Sequence, residues 1–222
     1  MLKLFFNALS KFLCGILLVG LLLFLPAGTL NFPNGWLFCA VLFIPMLILG
    51  IVLFAFAKDL LKKRLDTKEK EATQKGVVAF SAIIFLAGFV LAGLDFRFGW
   101  SSVPKAVVII ASALFLLSYI LYAEVMRENA YLSRTVKVED DQKVIDTGLY
   151  GIIRHPMYMA TIIMFLSIPL ILGSWLSFII FLSYPIIIAI RIYNEEKVLE
   201  KELKGYTEYK QKVKYKVIPF IW

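Results

Sequence analysis

Charge is scarce in this chain, and histidine and cysteine are scarcer still. Asp, Glu, Lys and Arg make up 18% of the 222 residues against 60% hydrophobic, too little polar surface for a soluble domain of this size. One histidine, His155, and two cysteines, Cys14 and Cys39, give no CxxC or CxH spacing, so no metal site is expected. Both thiols sit inside apolar runs and read as small membrane-buried hydrophobes. P-loop and Ser-His-Asp patterns are absent, as are internal repeats and low-complexity segments. The formal charge of +8 does not argue for nucleic acid, because membrane proteins gather Lys and Arg in their cytoplasmic loops.

What the chain does have is long uncharged runs. No charged residue occurs from Phe12 to Ala57. Pro26, Gly28, Asn31, Pro33, Asn34 and Gly35 divide that run into a first helix over about 9–26 and a second over about 35–57. The N-terminus has the basic and apolar character of a signal peptide but no small-residue cleavage site, and is read as a retained helix. Lys58 to Lys75 is a polar loop expected to prolong the second helix. A third helix is expected over about 76–94, followed by a connection carrying Asp95, Arg97, Gly99 and Trp100. A fourth starts near Pro104, a favourable residue for a first turn, and runs beyond Ala123.

Met157 to Ile190 is again free of charge. As one helix it would be far longer than a hydrocarbon core of about 30 Å. Gly173-Ser174, near its middle, breaks it into a hairpin, with arms from Pro156 to Leu172 and from Ser174 to Glu195. The sequence therefore predicts an all-α, polytopic membrane protein of about six transmembrane helices, ending in this hairpin and an amphipathic tail helix. It reads as one membrane domain over 1–222, with four helices in 1–126 and a functional core in 127–222. Of the 24 Lys and Arg residues, all but Arg97 and Lys105 fall on the side of the two termini. The positive-inside rule then makes both termini and the charged ends of the hairpin cytoplasmic.

Those ends carry the chemistry. Arg154 and His155 precede the first arm; Arg191, Glu195 and Glu196 close the second, and the fold of the hairpin brings them together. His155 serves as a structural hydrogen-bonder or as a binding group, and Arg154 as a topology anchor or as part of the site. Arg191 and Glu195, four apart, form an interfacial ion pair or face a ligand. Adjacent glutamates cannot both point the same way, and the inward role goes to Glu195. Tyr206 and Tyr209 share a face of the tail helix, as interfacial aromatics or as ligand contacts. The segment TVKVEDDQKVIDTGLY forms a flap over the pocket or an exposed loop.

The order of these motifs resembles the isoprenylcysteine carboxyl methyltransferase family, relatives of the phospholipid N-methyltransferases. The resemblance rests on Gly148-Leu149-Tyr150, on RHPMY from Arg154 to Tyr158, on the hairpin, on RIYNEEKVLEKEL, GYTEYKQKV and the final IPFIW, and covers about 129–222. Leu149 and Ala160 depart from the common proline and glycine of the pattern. The resemblance implies a cytoplasmic pocket for S-adenosylmethionine, with Gln142, Lys143, Val144, Ile145, Tyr150, His155, Pro156, Met157, Tyr158 and Glu195 as cofactor contacts. It also implies Arg191 as the catalytic, substrate-binding arginine that meets an acceptor carboxylate. The expected activity is carboxyl methylation of a lipid-linked or amphipathic acceptor, in contact with membrane lipids. Methylation of phospholipid or other amines, NADPH-dependent reduction in the manner of sterol reductases, and non-catalytic lipid binding are the alternatives.

Overall fold

The computed structural model describes residues 2–66, 72–132, 138 and 141–222. Among them the chain forms nine α-helices: α1 (Leu2–Ala27), α2 (Pro33–Phe56), α3 (Lys58–Leu65), α4 (Ala72–Phe98), α5 (Lys105–Glu128), α6 (Pro156–Leu172), α7 (Trp175–Phe181), α8 (Tyr184–Glu202) and α9 (Tyr206–Lys212). A single 3₁₀ turn, Gly148–Gly151, precedes α6.

Five segments are long and apolar enough to cross a bilayer: α1, α2, α4 from Gln74, α5, and Trp175–Glu202, which contains α7 and α8. Large apolar side chains such as Leu17, Ile48, Ile51, Ile109, Ile120 and Ile186 stand on their outer surfaces, mostly more than half exposed. Only a hydrocarbon solvent leaves so much apolar area uncovered without penalty. The chain is an integral membrane protein.

α6, the first arm of the hairpin, is apolar but has only 17 residues, about 25 Å of helix. It does not need full membrane length, because it lies inside the bundle. α5 runs along it, α2, α4, α7 and α8 also touch it, and nine of its residues are buried. The main core gathers Met164, Ile168, Ile171 and Leu172 of α6 with Leu23, Phe38, Phe89, Phe115 and Phe181 from its neighbours.

The turn between the arms closes as expected. Gly173 caps α6 at φ +84°, where a side chain would be strained, and a Cβ there would meet Asn34 Nδ2 at 2.6 Å. Ser174 caps α7, its hydroxyl accepting from Ser177 N–H. The same hydroxyl donates to Asp95 Oδ2, and Asp95 also receives the Ser101 N–H (2.7 Å) and hydroxyl (2.6 Å). These bonds account for an aspartate that is only 1% exposed.

Several helix boundaries differ from the sequence expectation: α1 starts at Leu2 rather than near residue 9, α4 at Ala72 rather than near 76, and the second arm ends at Glu202. The polar stretch after α2 does not simply prolong it: Ala57 leaves helical geometry at φ −144°, ψ 57°, and α3 starts anew. α4 continues through Asp95 and Arg97 to Phe98 because the serines satisfy Asp95 from within the fold. The second arm is interrupted at Leu182–Ser183, two residues before Pro185, whose ring cannot continue an uninterrupted hydrogen-bond ladder. Residues 67–71 of the polar loop, and 135–137 and 139–140 of the proposed flap, lie outside the described residues.

Candidate active site

One charged mouth of the hairpin opens as a cleft of about 850 Å³, counting the part open to solvent. It collects side chains from five places: the end of α5, residues 142–145, the 3₁₀ turn, the start of α6, and α8–α9. Of the residues singled out from sequence, Gln142, Lys143, Val144, Ile145, Tyr150, His155, Met157, Tyr158, Arg191 and Glu195 all line it. Pro156 does not; it forms the first turn of α6 and is buried.

The 3₁₀ turn aims Tyr150 inward. Gly148 takes φ +49° and passes so close to Glu128 that a Cβ would overlap its carboxylate. That carboxylate accepts the Leu149 N–H at 3.2 Å. Tyr150 receives the Asn129 amide on its hydroxyl at 3.0 Å, and its own carbonyl accepts the Tyr209 hydroxyl at 2.8 Å. Burial pushes the Tyr150 phenol up to about 12, so it is a neutral hydrogen-bonding group at any ordinary pH.

Beyond the turn, Arg154 and His155 pair with the C-terminal tail. Their backbone N–H groups donate to Tyr215 and Lys216 carbonyls at 2.9 and 2.8 Å. The Arg154 guanidinium donates from Nη1 to the Val213 and Lys214 carbonyls and from Nε to Glu196 Oε1 at 2.8 Å. His155 Nε2 lies 3.1 Å from the same oxygen, and Lys216 Nζ lies 3.6 Å from Oε2. Arg154, His155 and Glu196 are all about nine-tenths buried or more. Arg154 is therefore a clasp on the tail, lining the cleft from behind, and Glu196 is the carboxylate that neutralises it.

Glu195 turns the other way, half-buried in the cleft wall. Between it and Arg191 stands Tyr158: Arg191 Nε donates to the Tyr158 hydroxyl at 2.8 Å, and that hydroxyl donates to Glu195 Oε2. The Tyr158 ring is 4% exposed and packs with Tyr184, Ile188, Ile192 and Val217.

Tyr206 and Tyr209 are buried cleft residues, held with Leu203 and Val213 in a small core of their own. Burial raises both phenols. Among the described residues the Tyr206 hydroxyl has no hydrogen-bond partner, although it is fully shielded. Asn129, Tyr131, Leu132, Arg154, Leu199 and Leu203 complete the lining and were not assigned to a ligand from sequence. Of these, only Arg154 was weighed from sequence as part of the site. Among the described residues no group of His, Cys, Asp and Glu is arranged to hold a metal ion.

A segment spanning α5 to the end of α8, residues 106–205, matches the phospholipid methyltransferase family. The match takes in α5, which the motifs alone did not, and stops before Tyr206, Tyr209 and the tail that Arg154 holds. Another relative is the Delta(14)-sterol reductase TM7SF2 of Mus musculus, 28% identical over 91 residues. Those residues are 40% of this chain and 22% of the reductase, so the chain spans about a fifth of that relative's length. Among solved structures, a eukaryotic intramembrane Ras methyltransferase, isoprenylcysteine carboxyl methyltransferase, aligns over 99% of this chain and 85% of its own, at 18% identity and a TM-score of 0.49.

Proposed function

We propose that this protein is a membrane methyltransferase that binds S-adenosylmethionine in the cleft and methylates a carboxylate on a lipid-linked or amphipathic acceptor. The observation that carries the reading is the convergence of Gln142–Ile145, Tyr150, His155, Tyr158, Arg191 and Glu195 on one cleft, within or beside a segment related to phospholipid methyltransferases.

The cleft residues suit such a cofactor. Glu195 offers a carboxylate for an ammonium or ribose, the tyrosines offer flat apolar faces for an adenine, and Tyr206 offers a buried hydroxyl that still needs a partner. When bound, S-adenosylmethionine supplies a methyl group on a sulfonium, transferable by in-line displacement with no base required if the acceptor is a carboxylate. The protein's part is then to orient and to stabilise charge. Arg191 binds the acceptor carboxylate, held beside the cofactor-facing Glu195 by the shared Tyr158 hydroxyl. His155 Nε2 is committed to Glu196, so its contribution to the cleft falls to the rest of the ring. The cleft lies on the side of the basic loops and termini, which favours a cytoplasmic active site.

Amine methylation is a second reading, supported by the phospholipid methyltransferase match itself; sterol-type reduction is a third, supported by the shorter reductase match. The deciding experiment incubates purified protein with methyl-labelled S-adenosylmethionine and two acceptors, an S-farnesylated N-acetylcysteine and phosphatidylethanolamine vesicles. NADPH consumption with a Δ14-sterol is followed in parallel. Base-labile label on the prenylated cysteine supports the carboxyl reading, and label on the vesicles replaces it with amine methylation. NADPH oxidation without methyl transfer overturns both. Arg191→Lys keeps the charge but loses the two-pronged grip; on the carboxyl reading it lowers kcat/KM at least about tenfold with cofactor affinity nearly unchanged.

A further inference from the structure

The hydrogen bonds of Tyr158 join two groups that the proposed function treats separately. Its hydroxyl accepts from Arg191 Nε and donates to Glu195, using both of the roles a phenol can play at once. Its ring is fixed from behind by α8 and by Val217 of the tail, with the His155 ring centroid 5.7 Å away. The hydroxyl therefore stands on a rigid mount. The Arg191 guanidinium also lies near the Tyr158 ring, 6.0 Å from its centroid, so the side chain is placed by a face and by a hydrogen bond together.

We propose that Tyr158 is a positioning residue whose hydroxyl fixes Arg191 and Glu195 relative to one another. This deepens the proposed function and rests on its assignment of Arg191 to the acceptor and Glu195 to the cofactor. A guanidinium can grip a carboxylate through Nε and a neighbouring nitrogen or through its two Nη atoms. With Nε committed to Tyr158, the first grip is closed. The acceptor is then approached end-on, along a direction set by a residue of α6 rather than by α8 alone. The same hydroxyl holds one oxygen of Glu195, so the carboxylate meets the cofactor with a fixed face. Loosening this joint costs orientation at both substrates while leaving both charges in place, and orientation is the main resource of a displacement that needs no base.

Tyr158→Phe removes the hydroxyl and keeps the buried ring, so the bundle stays folded. Two measurements on full-length protein in lipid nanodiscs test the inference. The first is hydrogen exchange of the Arg191 Nε–H in ¹⁵N-arginine-labelled protein, with the signal assigned by its loss in Arg191→Lys. Exchange is expected to speed up by at least about tenfold in Tyr158→Phe, the factor of one hydrogen bond to a charged group. The second is single-turnover methyl transfer to the S-farnesylated N-acetylcysteine in Tyr158→Phe, Arg191→Lys and the double variant. Each single change is expected to lower kcat/KM by about tenfold, and the double variant to resemble the weaker single one, because both break the same joint. Unchanged exchange of the Arg191 Nε–H overturns the inference, as do losses that multiply in the double variant. If wild-type protein transfers no methyl group, the proposed function falls, and the exchange measurement alone decides whether Tyr158 fixes Arg191.

Discussion

Glu195 and Glu196 are chemically identical neighbours, yet their substitution by glutamine should break different things. Glu196 is 4% exposed and shares its carboxylate among Arg154 at 2.8 Å, His155 at 3.1 Å and Lys216 at 3.6 Å. Removing one partner of a buried ion pair costs about 3–5 kcal/mol, because the other charge is stranded. Glutamine keeps one acceptor, and Arg154 keeps the Val213 and Lys214 carbonyls, which places Glu196→Gln at the lower end, about 3 kcal/mol. At about 2–4 °C per kcal/mol for a chain of this length, the unfolding temperature should fall by roughly 6–12 °C. Glu195 is half-buried and its described hydrogen bond comes from one phenol. Glu195→Gln should therefore lower the unfolding temperature by no more than about 4 °C, for a loss of about 1 kcal/mol or less. It should instead weaken S-adenosylmethionine binding at least about tenfold. Tryptophan fluorescence during heating gives the first quantity, and titration calorimetry gives the second. Equal thermal shifts in the two variants would refute the division of labour, as would a Glu196→Gln protein within 3 °C of wild type.

Two further expectations follow from single observations. Tyr206→Phe deletes a buried hydroxyl without a partner among the described residues, so the ligand-free protein should be as stable as wild type or more so. The thermal shift produced by saturating S-adenosylmethionine should shrink in the same variant, and a destabilised ligand-free protein would show that the hydroxyl is already satisfied. In a background lacking Cys14 and Cys39, single cysteines at Lys62 and Trp100, both exposed, should react with a membrane-impermeant thiol reagent from opposite faces, position 62 from the cytoplasm. Reaction from one face would break the six-crossing arrangement.

The hairpin was readable because it depends on one simple quantity, the length of an uncharged run against the thickness of a bilayer. Gly173 stands where that argument required a turn, and it does so with the positive φ that explains its identity. The choice of Glu195 as the inward glutamate needed only helical geometry, and it lines the cleft. The burial of Glu196 was hidden, because its three partners come from the two residues before α6 and from Lys216, beyond the tail helix. Arg154 was ambiguous for the same reason: a guanidinium at a membrane boundary looks like an anchor until the carbonyls it binds, 59 and 60 residues away, are in view. The break at Leu182–Ser183 had only Pro185 to announce it, and proline inside α2 and near the end of α6 leaves those helices continuous.

The clasp between Arg154 and the tail has a consequence for biosynthesis. Residues 154–155 begin the descent of α6 into the bilayer, while their backbone partners at 215–216 are translated some sixty residues later. Throughout the insertion of both hairpin arms, the buried guanidinium has neither its carbonyls nor the carboxylate on α8. A nascent chain halted between Glu202 and Val213 would carry α1 to α8 in full and still lack the back wall of its cleft. The bundle can thus be threaded into the membrane before its cleft is complete, and the cleft closes in one late step, when residues 213–216 emerge from the ribosome and fold back over Arg154.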